Sequence, residues 1–123
     1  MKLHVVDGRY AVARLGPNDP IPAWPRGRFV SVTRTPEELS IVCEDDAVPP
    51  DVRAERGWRC FVAEGPIPFE TTGVAAAITT ALADKGISVF LVSTYDTDYV
   101  LVKEEFAESA LKTLQAAGHE LIS

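Results

Sequence analysis

CFVAEGPIPFETTGVAAAITTALADKGISVFLVSTYDTD, residues 60–98, is the stretch from which the fold can be read. It opens on a strand-like run through Ala63 and passes a loop at residues 65–73. It then enters an alanine-rich segment where Val74, Ile78, Ala81 and Leu82 recur at helical spacing. Thr71 or Thr72 is placed to cap that helix, and Gly86 suits the left-handed residue that ends one. The apolar run at residues 87–94 reads as a strand, Asp96-Thr97-Asp98 as a turn, and residues 99–103 as the returning strand. A second helix is expected over residues 105–117, with Ala107, Ala110, Leu111, Leu114 and Ala117 on its apolar face and Gly118 after it. Residues 119–122 can return as a last strand. The order is strand–helix–strand–strand–helix–strand, that of a ferredoxin-like βαββαβ sandwich in the α+β class.

The earlier part of the chain shows a similar order with shrunken helices. Asp7-Gly8 between two short apolar segments predicts a hairpin turn. Residues 16–25, GPNDPIPAWP, hold four of the nine prolines and predict one irregular turn that sets Trp24 against a core. Residues 28–35 alternate as a strand, with Phe29, Ser31 and Thr33 on one face and Val30, Val32 and Arg34 on the other. Residues 39–43 read as a second strand. A loop follows, with at most a short helix from Asp51 ended by Gly57, before a strand at residues 58–63. The expected division is a degenerate N-terminal half at residues 1–59 and a C-terminal domain at 60–123. The strands from Ile87 and Tyr99 are apolar on both faces. Helices cover one face only, so the other is expected to pack on a sheet from the first half or from a second subunit.

Composition narrows the function classes. The 123 residues are 46% hydrophobic and 24% charged, with a formal net charge of −6. That balance suits a soluble domain and argues against a nucleic-acid or anionic-membrane surface, which needs a basic patch. The arginines at 26, 28, 34, 53, 56 and 59 are interleaved with Glu37, Glu38, Glu44 and Glu55, as on an ordinary surface. Cys43 and Cys60 sit in apolar runs and read as buried free thiols. MKLHVVDG breaks its apolar run at Asp7, so no signal peptide is expected there. No apolar stretch approaches the roughly 20 residues of a membrane span. The chain is read as cytoplasmic.

Motifs for nucleophilic, P-loop, redox-cysteine and zinc-hydrolase chemistry do not occur. Neither a cofactor nor a metal is expected, and His4 and His119 read as surface or packing residues. Two polar segments remain. Gly73 at the start of the first helix lets a ligand approach backbone N–H groups that have no intrahelical partner, a ready place for a carboxylate. Glu70 just outside can hold an ammonium, while Ile67 and Phe69 line an apolar side; together they complement a zwitterion. Equally, Glu70, Thr71 and Thr72 can simply cap the helix. The second segment, residues 93–98, can be ordinary turn chemistry. In a split βαβ unit, however, the strand entering the first helix and the strand after it are expected to be neighbours, which would bring Asp96 and Asp98 within reach of the 65–73 loop.

The run PFETTGVAAAITTALADKGISVFLVSTYDTDYVLV resembles ACT domains. It is most similar to the aspartokinase-like ACT pairs of small bacterial proteins and of the cytosolic arginine sensors of animals. Gly73-Val74-Ala75 looks like the family's loop-to-helix segment, and STYDTDYVLV resembles that subgroup's strand pair. The match covers residues 60–122; in the first half only RFVSVTRTPEELSIVCE looks like an ACT strand pair. The resemblance implies a tandem ACT protein that binds an amino acid at an interface between ACT units. By position it implies Phe69, Glu70, Thr71, Thr72, Gly73 and Val74 as ligand contacts, with Thr94, Asp96 and Asp98 from the strand pair. Ser31, Val32 and Thr33 would face them. The family's usual loop Asp has no obvious equivalent, with Glu70 as its candidate replacement.

The leading expectation is a non-catalytic, amino-acid-binding regulatory protein, a homodimer with a regulated protein partner. The alternative is a module that assembles through its sheets without a ligand. A small enzyme using Asp96, Asp98 or Glu70 would lack an accompanying base, nucleophile or cofactor signature.

Overall fold

Apolar residues at helical spacing turn residues 74–83 and 107–116 into helices because each presents one stripe that needs covering. The computed structural model describes residues 1–68 and 73–122. Its elements are β1 (Lys2–Leu15), β2 (Ser31–Arg34), β3 (Leu39–Glu44), β4 (Ala54–Ala63), α1 (Val74–Ala83), β5 (Phe90–Ser93), β6 (Asp98–Lys103), α2 (Ala107–Ala116) and β7 (Glu120–Ile122). The chain divides into two units: Asp7–Trp58, and Met1–Val6 together with the chain from Arg59. The first six residues thus belong with the C-terminal unit, whereas the sequence grouped residues 1–59.

In the unit from Arg59, β4-α1-β5-β6-α2-β7 is the βαββαβ order of an α+β ferredoxin-like fold. β5 and β6 pair antiparallel, with Phe90 opposite Leu101 and Ser93 opposite Asp98. One strand is added from the chain's start. Residues 2–4 pair in parallel with β7, while Glu64 N donates to Lys2 O at 2.8 Å on the other edge. Ile78 and Leu82 of α1 and Ala110 and Leu114 of α2 bury against Leu3, Phe61, Ala63, Val100 and Val102. Each fully buried Leu or Ile contributes about 1.5–3 kcal/mol relative to exposure. Leu101 alternates with Val100 and Val102, so it points to the opposite face, and it too is fully buried. Among the described residues, no helix is long and apolar enough to cross a membrane.

In the unit Asp7–Trp58, β1 pairs antiparallel with β3, and β3 with β2. Ala11, Ala13, Leu39, Ile41, Cys43 and Val48 form its core, with Trp24 packed against it as the proline-rich segment predicts. Tyr10 is fully buried, with its ring centroid 6.4 Å from that of Phe29. Arg26 meets two acids, lying 3.7 Å from Glu44 and 3.2 Å from Asp46.

Two local expectations are overturned. Asp7-Gly8 makes no hairpin, because the chain runs on as one strand from Lys2 to Leu15. Gly8 absorbs φ +96° within that strand, and the segments on either side pair with different strands, β7 and β3, rather than with each other. No helix starts at Asp51 and Gly57 ends none: a three-residue 3-10 turn sits at Asp45–Ala47, and Gly57 lies inside β4. Arg56 explains this geometry. Its guanidinium donates to Asp45 O, Val48 O and Pro49 O at 2.9–3.1 Å and to Asp45 Oδ1 at 3.0 Å, while Gly57 N donates to Asp45 Oδ2 at 2.8 Å. Asp45 O and Pro49 O each also accept one turn bond, from Val48 N and Val52 N, so the guanidinium adds to short turns rather than to a continuous helical ladder.

Candidate functional site

The candidate site forms where α1 begins and where β5 turns into β6. Gly73 is the N-cap of α1 with φ +83°, and no side chain bonds back to cap the helix there. Ala77 N donates to Gly73 O at 2.8 Å, so the N–H groups of Val74, Ala75 and Ala76 precede the first intrahelical bond. With the helix dipole, they make that end of α1 attractive to an anion.

Opposite stands the β5–β6 turn. Thr94 N donates to Thr97 O at 2.7 Å, and the Thr94 hydroxyl reinforces the turn by donating to the same oxygen at 3.1 Å. Strand register sets Ser93 opposite Asp98, and the Ser93 hydroxyl donates to Asp98 Oδ1. The turn is tied to the segment leaving β4: Ile67 N donates to Asp96 O and Thr97 Oγ1 donates to Ala63 O, both at 2.6 Å. Gly65 permits this approach, since a Cβ there would lie 2.9 Å from Asp96 O and 3.2 Å from Thr97 Cβ.

Between these walls is an open pocket of about 280 Å³. It brings together Ile67, Gly73, Val74 and the 93–98 segment with Thr94, Asp96 and Asp98, all singled out in the sequence. Ile67 supplies an apolar side. The described lining carries the carboxylates of Asp96 and Asp98 and no Lys, Arg or His. The arrangement sets two acidic residues opposite the start of a helix. Phe69, Glu70, Thr71 and Thr72 lie outside the described residues. Ser31, Val32 and Thr33 lie on β2 in the unit Asp7–Trp58, with Val32 and Thr33 exposed.

Ser93 and Thr97 fall inside the 93–98 segment that the sequence singled out, but sequence reasoning assigned neither a role of its own. Ser93 is legible in retrospect, because fixing the strand register puts it opposite Asp98. Thr97 carries no local signal, since its hydroxyl partner lies 34 positions away. Among the described residues, no group of three or more His, Cys, Asp or Glu side chains is placed to hold a metal ion. Both cysteines are free and buried; burial pushes the Cys60 thiol up to about 12 and raises Cys43 as well.

Residues 53–116 match the family model of the ACT domain, and a second model, described as an N-terminal domain, matches residues 8–51. The chain is 29% identical over 105 residues to the cytosolic arginine sensor for mTORC1 subunit 1 of Bos taurus, covering 76% of this chain and 32% of that protein. It therefore spans about a third of the sensor's length. Among solved structures, protein Atu0741 from Agrobacterium tumefaciens is 45% identical with a TM-score of 0.93, over 98% of this chain and 91% of that one. The regulatory subunit of aspartate kinase from Thermus thermophilus superposes with a TM-score of 0.61 over 90% of this chain and 93% of that one. At 17% identity that likeness speaks to fold alone.

Proposed function

We propose, from the ACT domain family to which this chain belongs, that the protein is a non-catalytic regulatory module that binds an amino acid at the start of α1. One observation carries the reading: the N-terminus of α1 and the carboxylates of Asp96 and Asp98 converge on a single pocket of about 280 Å³. The volume falls just below the ~300–1,000 Å³ range of small-molecule sites, in keeping with a ligand smaller than a drug. The ligand carboxylate meets the N–H groups of residues 74–76, and its ammonium meets Asp98 and Asp96. Similarity to a protein named as an arginine sensor supports amino-acid recognition. Residues 69–72 directly precede Gly73 in the sequence.

The pocket is open on one side, and a second copy of the chain supplies the facing wall, with Ser31, Val32 and Thr33 as the facing set. The working form is then a cytoplasmic homodimer that passes occupancy to a protein partner. Thermal-shift screening against the twenty amino acids tests the reading. A ligand at a hundred times its Kd adds about 2.7 kcal/mol to stability, a shift of several degrees for a domain of this size. No shift with any amino acid would sink it.

Exposed Ile21, Val30 and Val32 favour a second reading, assembly through the unit Asp7–Trp58 without a ligand. Under that reading Val32→Lys dissolves the assembly in size-exclusion chromatography, while Asp98→Ala changes nothing.

A further inference from the structure

Every second residue of the segment leaving β4 meets the β5–β6 turn. Ala63 O accepts from the Thr97 hydroxyl at 2.6 Å, Gly65 leaves no room for a side chain beside Asp96 O, and Ile67 N donates to that same oxygen at 2.6 Å. Threonines in a turn usually bond their own backbone, and Thr94 does so here, donating to Thr97 O and accepting from Thr97 N. The turn is therefore closed without the Thr97 hydroxyl. That hydroxyl is spent instead on a carbonyl 34 positions earlier in the chain.

We propose that Thr97 is a positioning residue: its bond to Ala63 O clamps the β5–β6 turn onto the 63–67 segment, so that Ile67 and Asp96 are held as one edge of the pocket before any ligand arrives. Its consequence for affinity rests on the amino-acid reading above, because a pre-set edge spares the ligand the cost of ordering it. The clamp itself does not depend on that reading.

Thr97→Val keeps the side chain's shape and removes the donor, whereas Thr97→Ser keeps the donor. In hydrogen exchange of the unliganded protein, the Ile67 amide exchanges about fivefold faster or more in Thr97→Val, as loss of one hydrogen bond's restraint predicts, while the Val100 amide keeps its wild-type rate. Thr97→Ser restores the Ile67 rate. Whichever amino acid the thermal-shift screen identifies binds Thr97→Val more weakly by a similar factor and Thr97→Ser as it binds wild type. An unchanged Ile67 rate in Thr97→Val overturns the clamp. Faster Ile67 exchange with unchanged affinity overturns its role in the pocket. Failure of the unaltered protein to bind any amino acid removes the ligand reading, and the exchange rates still decide the clamp.

Discussion

Ser93 donates its hydroxyl to Asp98 across the antiparallel β5–β6 pair, fixing one carboxylate oxygen at the mouth of the pocket. A carboxylate with one oxygen already engaged presents the other in a defined direction. On the proposed amino-acid reading, Asp98 rather than the exposed Asp96 is the main partner of the ligand ammonium. Asp98→Ala is expected to weaken amino-acid binding at least tenfold, while Ser93→Ala, which frees the carboxylate without removing it, weakens it less. Titration calorimetry with the amino acid found by thermal shift orders the two variants, and the reverse order counts against this account.

Gly65 lies where the loop meets the turn. A Cβ there would stand 2.9 Å from a backbone oxygen, which cannot swing away as a side-chain tip can. Gly65→Ala is expected to cost about 1–3 kcal/mol through the forced shift. A lower urea midpoint at unchanged m-value, together with weaker ligand binding, is the expected result.

The helix layer rests on few large side chains, so truncation there is costly. Leu82 is fully buried between α1 and the sheet. Leu82→Ala is expected to remove about 2–5 kcal/mol, a large part of a typical domain stability of about 5–15 kcal/mol. Equilibrium denaturation followed by circular dichroism measures it.

Arg56 holds the Asp45–Ala47 turn through three carbonyls and one carboxylate. Arg56→Ala leaves these groups without that donor, and a cost of about 2–4 kcal/mol is expected, within the range for breaking a part-buried charged network. Gly57 N depends on Asp45, so its amide exchange should accelerate before that of amides in α1.

The cysteines and His119 give stability a defined pH dependence. The folded pKa of Cys60 is raised by burial from 9.0 to about 12. The unfolded chain therefore ionises first. This contribution is complete below pH 9 and is lost as pH rises from about 9 toward 12. His119 is shifted the opposite way, lowered by desolvation and then by the nearby N-terminal ammonium. Its contribution is present above its unfolded value of 6.5 and is lost as pH falls below that. Melting temperatures across pH 5–11 should show both losses, with Cys60→Ala removing part of the alkaline one. Native Cys60 is also expected to resist iodoacetamide at pH 8 and to react on unfolding.

Much of the C-terminal unit was legible because its signals are local. Ile78 and Leu82 on one side of α1, Gly86 and Gly118 beyond the two helices, and the paired apolar runs around residues 96–98 each depend only on near neighbours in the chain. The convergence of Gly73 with Asp96 and Asp98 was expected from the strand after α1 lying beside β4; it arises instead because β6, and not β5, is the neighbour of β4. The Asp7-Gly8 and Asp51 readings failed for the converse reason. Turn and helix propensities at those positions are worth about 1 kcal/mol or less, and non-local partners outweigh them. β7 and β3 take the two ends of one long strand, and Arg56 binds the carbonyls of Val48 and Pro49 from β4.

From the sequence alone came the α+β class, the helix–sheet pairing and the polar segments that line the pocket, since periodicity, capping and turn chemistry are written into neighbouring residues. Tertiary structure alone decided that the chain's first residues join the C-terminal unit and that Thr97 reaches Ala63. Each of these is a choice of partner across a long stretch of chain. Hydrogen bonding and burial of the whole fold settle such choices, and no short pattern of residues encodes them.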